Sequence, residues 1–285
     1  MREKPYYSIR TSKNPLSGSI DLPMLIKLFK TIYAYFDNEG YFQQDLGFEC
    51  VDAGFIPGTL GHDLEGVLLL ELRKNNLYPI TKQIDNYTED DLFDIIEFLH
   101  DHCSKPITRN YHSWNECGWH CETFEQEPGQ KEFREKVNRI LRIYKEGYEL
   151  SSKGEILVLA DTGLEALLEA SLPPVDPDNI EARIDAARQK FRRYRSSLDE
   201  RRDAIRDLAD VLEFLRPKLK GVITSKDEDD LFNIANNFGI RHHNERQKVN
   251  YDKPIWYSWL FYYYLATIHA VLRLIAKAQL TSQND

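Results

Sequence analysis

Residues 229–275 read DDLFNIANNFGIRHHNERQKVNYDKPIWYSWLFYYYLATIHAVLRLI, and their reading decides the fold of the C-terminal half. A polar cluster, Arg241-His242-His243-Asn244-Glu245-Arg246-Gln247, separates two apolar helical patterns. The second pattern, 254–277, is too apolar and aromatic for a surface helix and is expected to be the central helix of a helical domain. The cluster then sits at that helix's N-terminal approach. It is the densest set of groups in the chain suited to acid–base work at neutral pH, because histidine alone has an unperturbed pKa near neutrality.

Upstream, Ile184, Ala187, Phe191, Tyr194, Leu198, Ile205, Leu208, Leu212 and Leu215 nearly follow a heptad, with Arg201 the exception. One long coiled-coil helix would fit that spacing. Ser197-Leu198-Asp199-Glu200 argues against it, since a Ser-x-x-Glu pattern satisfies the free N–H groups of a new helix start. We expect two helices broken near Ser196-Ser197. With helices over 227–238 and 254–277, the C-terminal domain is a compact four-helix bundle. Residues 171–178, SLPPVDPD, form the clearest linker. The expected organisation is an N-terminal domain over 1–170, a proline-rich linker over 171–178 and a helical domain over 179–285.

The N-terminal half also reads as mainly α. Leu22, Leu25, Ile26, Phe29, Ile32, Tyr33 and Phe36 recur at helical spacing, with Asp21 placed to cap them and Pro23 tolerated in the first turn. Helices are expected over 62–76, over 88–102 behind a capping box at Thr88-Glu89-Asp90-Asp91, and over 130–145. Two short apolar runs flank Ser152-Lys153-Gly154 and predict a β-hairpin wing over 148–159. Helices followed by a wing suggest a winged-helix-like domain, a shape that fixes no function.

The 285 residues are enough for two domains, and the 42% hydrophobic content is ordinary for a globular core. A net charge of -9 argues against a duplex-DNA regulator, which needs a basic face. The 255–275 stretch carries Ser258, Thr267, His269 and Arg273 besides its tyrosines, which fits a buried helix better than a membrane span. The N-terminus lacks an apolar signal core, and four cysteines make no disulfide framework. The expectation is a cytoplasmic protein with reduced thiols and no membrane partner.

Metal-free RNA cleavage needs a base for the ribose 2′-hydroxyl, an acid for the leaving oxygen and a cation for the phosphate. Arg241 and Arg246 are suited to clamp phosphate, since a guanidinium matches two of its oxygens at once. His242 or His243 would move the proton, and Asn244 would orient the phosphate or a neighbouring His. The plainer reading is a polar inter-helix loop in which Arg241 pairs with Asp252 or Glu245 and one His caps the next helix. Spacing alone favours the plainer reading.

The four-helix layout, the Arg-His-His-Asn cluster before the last helix, and the Tyr-Asp-Lys-Pro-Ile-Trp and Tyr-Leu-Ala-Thr-Ile-His segments resemble the HEPN superfamily. Within it they resemble the abortive-infection (Abi-type) proteins of bacterial phage defence. Residues 115–120, NECGWH, and 147–156, GYELSSKGEI, look like parts of domains that precede HEPN modules. Many HEPN proteins are metal-independent ribonucleases, with an Arg, a polar residue and a His several positions later. Arg241 and His242 match the first half, but the next His after His243 is His269.

The resemblance implies an endoribonuclease toxin that cleaves tRNA or another host or phage RNA, with Arg241, His242, His243 and Asn244 catalytic. Arg246, Lys248, Tyr251, Arg192 and Arg193 would bind RNA, and no cofactor or metal is called for. It also implies a homodimer through the C-terminal helical domain and a phage-derived or protein trigger at the N-terminal one. The alternative is a non-catalytic HEPN RNA- or protein-binding subunit of a defence or toxin–antitoxin complex.

Residues 96–124 hold His100, His102, Cys103, His112, Cys117, His120 and Cys121, a density that invites zinc. Cys-x-x-x-Cys and His-x-His do not match the paired Cys-x-x-Cys spacing of common structural sites, and Cys117 and Cys121 suit small buried hydrophobes. No metal is therefore assigned. Arg188, Lys190, Arg192, Arg193 and Arg195 make a basic stretch, unbalanced as far as Arg195, that could meet a phosphate backbone. Tyr251, Trp256, Tyr257 and Trp259 could stack bases, although helical spacing points most of them to the core.

Overall fold

The computed structural model describes residues 19–161, 163–173, 180–219 and 252–282, together with Tyr7, Thr11, Thr224 and Lys226. The chain is mainly helical, with small antiparallel hairpins, and divides into two compact units, residues 1–159 and 160–285. The division falls after Leu159, ahead of the proline-rich segment. Leu168 belongs to the apolar core of the second unit, and Ala160, Leu167 and Leu172 pack against it. The segment before the prolines thus follows its apolar side chains.

In the first unit, α1 (Leu22–Asn38) starts where the sequence places it: the Asp21 carboxylate accepts from the Met24 N–H, and proline occupies the first turn. Its buried stripe is Leu25, Ile26, Phe29 and Phe36. A one-turn helix, Gln43–Leu46, leads into the hairpin of β1 (Phe48–Cys50) and β2 (Gly54–Ile56). α2 (Leu64–Leu72) and α3 (Glu89–Asp101) follow, the latter behind the predicted capping box of Thr88 and Asp91. β3 (Lys105–His112) and β4 (Gly118–Glu125) form the longest hairpin, and α4 (Gln126–Leu141) continues from it. β5 (Tyr148–Leu150) and β6 (Ile156–Val158) are the predicted wing.

The β1–β2 and β3–β4 hairpins were not legible as strands. Their polar and glycine-rich sequences lack a clean apolar alternation, because β3 is exposed along most of its length. The core of this unit joins α1, α3 and α4. Phe133 meets Phe36 edge-on at 5.1 Å and Phe42 at 6.1 Å.

In the second unit the break at Ser196-Ser197 is present. α5 (Ala182–Arg192) ends before it, and α6 (Leu198–Leu219) begins with the Ser197–Glu200 box. α7 (Lys253–Ser282) packs along α6, and its buried residues run from Tyr257 through Leu260, Phe261, Tyr264, Leu265, Ile268 and Leu272 to Ile275. By length and composition, 253–278 is apolar enough to cross a membrane. With 61% of its most apolar 18-residue window buried, its apolarity is accounted for by the core it forms with α5 and α6. The helix expected over 227–238 lies outside the described residues.

Candidate metal centre

Four soft donors meet in the first unit. Cys50, His112, Cys117 and His120 each offer an atom, and all four atoms lie within 4.8 Å of one another. They come from the tips of two hairpins. Cys50 is the last residue of β1, His112 ends β3, Cys117 stands in the turn and His120 lies on β4.

Strand periodicity explains which residues gather there. Side chains alternate faces along a strand, so residues two apart share one. Asn110 pairs with His120 and His112 with Gly118, which puts both imidazoles on the same face, with ring centroids 5.0 Å apart. Phe48 and Cys50 share a face of β1 by the same rule. Phe48 packs on His120 at 4.6 Å while Cys50 supplies its thiol. Cys121 faces the other way, toward Gly40, and Arg109 lies over Trp119 at 4.2 Å.

The turn that brings Cys117 back is strained. Asn115 (φ 48°), Glu116 (φ 55°) and Gly118 (φ 104°) are left-handed, a conformation that costs a non-glycine residue about 1 kcal/mol or more. It sets the Cys117 Sγ 3.2 Å from His120 Nε2.

One donor has an outer partner, and the strand that carries another is held from outside. His112 Nε2 lies 3.2 Å from an Asp52 carboxylate oxygen, from the turn after Cys50. The other nitrogen of that ring, Nδ1, is buried and has no hydrogen-bond partner among the described residues. A buried nitrogen without a partner is rare and calls for a missing one. Around His120, the Gln43 side chain donates to the Trp119 carbonyl at 2.8 Å and accepts from the Cys121 N–H at 3.0 Å. That amide acts as a short surrogate strand and holds β4 in place.

The remaining Cys and His residues of 96–124 have other duties. His102 Nδ1 is 2.8 Å from Asp45, and His100 is buried beside Asp101, where burial lowers its pKa. The Cys103 thiol reaches the Gly129 carbonyl, and burial pushes its pKa far up, so it stays an inert protonated thiol. Sequence reasoning therefore named three of the four donors and missed Cys50. Cys117-x-x-His120 was the available signal, but only the topology brings the upstream Cys50 beside it. The spacing argument that left zinc aside assumed one contiguous motif, whereas this set is divided between two hairpins.

Of the residues assigned to RNA, Arg241, His242, His243, Asn244, Arg246, Lys248 and Tyr251 lie outside the described residues. Arg192 closes α5 half-buried, and Arg193 follows it exposed. The basic stretch is less unbalanced than its sequence implies. Arg188 pairs with Asp185 at 3.1 Å and Lys190 with Asp207 at 2.5 Å. Tyr257 is buried as expected, whereas Trp256 and Trp259 are exposed. The chain matches no family model, no curated protein and no solved structure.

Proposed function

We propose that the chain is a HEPN-like, metal-independent endoribonuclease of bacterial abortive infection, acting in the cytoplasm on tRNA or another host or phage RNA. Its second unit would complete a four-helix bundle with 227–238. Arg241, His242, His243 and Asn244 would line the cleavage groove, with Arg246, Lys248, Tyr251, Arg192 and Arg193 along the RNA. Two copies would pair through this unit so that two clusters face one groove. The first unit would meet a phage-derived or protein trigger.

The observation that carries the reading is an aromatic ladder on the first turns of α7, directly after the cluster segment. Trp256 meets Trp259 edge-on at 5.4 Å, and Trp259 stacks on Tyr263 at 5.4 Å. Both tryptophans are exposed, in a helix whose Tyr257, Phe261, Tyr262 and Tyr264 belong to the core. Exposed rings that follow an arginine- and histidine-rich segment in the sequence suit single-stranded RNA, because every base has a face to stack.

The test is cleavage of total RNA and tRNA without added divalent cation, then in EDTA, comparing wild type with Arg241→Ala and His243→Ala. Activity that persists for wild type and is lost in both variants supports the reading. Activity that only magnesium restores, or that ignores both substitutions, overturns it. The second reading, a non-catalytic HEPN binding subunit, is favoured by the absence of the His expected after Arg241. It predicts RNA or protein binding without cleavage and no effect of His243→Ala on that binding.

A further inference from the structure

We propose that Cys50, His112, Cys117 and His120 bind one zinc ion in a closed tetrahedral site that staples the β1–β2 hairpin to the β3–β4 hairpin. This inference is independent of the RNA reading and involves none of its residues.

Three observations converge on it. The donor set is two thiols and two imidazoles, the combination that zinc prefers in structural sites. The spacing also fits. With metal–sulfur bonds near 2.3 Å and metal–nitrogen bonds near 2.0–2.1 Å, the edges of a tetrahedron come to about 3.3–3.8 Å. The four donor atoms lie within 4.8 Å of one another, and the Cys117–His120 edge is 3.2 Å, so small side-chain rotations close the shell. Finally, His112 is already arranged as a ligand. Its Nε2 is held by Asp52, and its buried Nδ1 lacks a partner, which is the carboxylate–histidine arrangement that orients imidazole toward a metal.

Four protein donors fill the tetrahedron and leave no position for water, so the ion is structural and not hydrolytic. Each hairpin has only two strands, and a two-stranded ribbon is marginal in water by itself. Binding displaces the thiol protons to solvent as each cysteine becomes a thiolate ligand, so affinity falls as pH is lowered. Asp52 is a positioning residue: it touches the His112 ring and not the ion.

The experiment uses the full chain. Metal content of the purified protein is measured, and the zinc-free protein is then titrated with cobalt(II). We expect about one zinc per chain, together with the strong visible bands of tetrahedral cobalt and a thiolate charge-transfer band. Cys117→Ser should abolish stoichiometric binding, and Asp52→Asn should weaken it about 10–100-fold. Cys121→Ser, next to a ligand but on the opposite face, should keep full stoichiometry. Wild-type protein without zinc and without the cobalt bands overturns the proposal, and so does a disulfide between Cys50 and Cys117 in the purified chain. The wild-type cobalt spectrum keeps the test decisive even if Cys117→Ser does not fold. Unchanged binding in that variant would also overturn the proposal.

Discussion

The two units solve the same problem with different materials. The core of the second unit's described part is three long helices, preceded by the short helix Glu165–Glu169. The long helices satisfy their backbone groups internally, so only an apolar stripe needs a partner. Ile184, Phe191, Leu208, Leu212, Phe261, Leu265 and Leu272 supply it, and Phe191 stacks on Phe261 with ring centroids 4.0 Å apart. The first unit includes three two-stranded hairpins, and every such hairpin leaves edge N–H and C=O groups to be satisfied. Helix side chains do that work. Asn138 of α4 donates to the Leu150 carbonyl at 3.0 Å and accepts its N–H at 2.6 Å, Gln43 does the same along β4, and Glu97 accepts from Ile156. Where elements are short strands, one carboxamide stands where a row of apolar contacts would stand between helices.

The largest expected effect is on the apolar side. Phe261→Ala should destabilise the second unit by about 3–5 kcal/mol, the usual cost of removing a buried ring whose cavity cannot collapse. Asn138→Ala in the first unit should cost about 1–3 kcal/mol, because it strands both backbone groups of Leu150 while removing almost no apolar area. Urea unfolding followed separately in each unit measures both. If Asn138→Ala costs under about 0.5 kcal/mol, water replaces the amide and the contrast between the units fails.

The same contrast explains what was legible in the sequence. Helices declare themselves through period and caps, and Asp21, Thr88-Asp91 and Ser197-Glu200 all start helices where they were read. The wing at 148–159 was legible because both of its strands are buried and apolar. β1–β2 and β3–β4 were not, because their stability lies in long-range polar contacts such as Gln43 with β4, which leave no local pattern. The metal centre was half legible for the same reason. Cys117 and His120 are neighbours in sequence, whereas Cys50 joins them only through the packing of two hairpin tips. The Arg241–Asn244 cluster was legible as chemistry, and its structure lies outside the described residues.

The helix caps sharpen the comparison by holding chemistry constant across the two units. Thr88→Ala and Ser197→Ala each remove a hydroxyl that accepts from the third helical N–H, at 3.2 Å in both places. Each should cost about 1 kcal/mol, within the usual 0.5–2 kcal/mol for a lost cap. Equal costs mean that the units differ in how elements are joined and not in how helices start. A cost several times larger at Thr88 would mean that α3 also depends on its neighbours for its first turn, since Asp91 of the same box pairs with Lys74 at 3.0 Å.

The smallest expected effect is a pH dependence confined to the first unit. Glu132 of α4 accepts from Lys105 at the start of β3 at 2.6 Å and from the Tyr41 hydroxyl at 2.5 Å, joining three segments. Burial alone would raise its pKa, but the hydrogen bonds from Lys105 and Tyr41, with the Lys105 charge, outweigh burial and hold it below the ordinary 4.5. The unfolded chain therefore binds the proton more readily than the folded one. Stability from this carboxylate is complete above pH 4.5 and is lost as pH falls through the lower folded value. Because the pair is partly exposed, solvent screens it and the effect is modest. Glu132→Gln should flatten the acid limb of the first unit's urea midpoint and leave the second unit's limb unchanged. An acid limb as steep in the variant as in wild type would show that Lys105 and Tyr41 contribute no pH-dependent stability through Glu132.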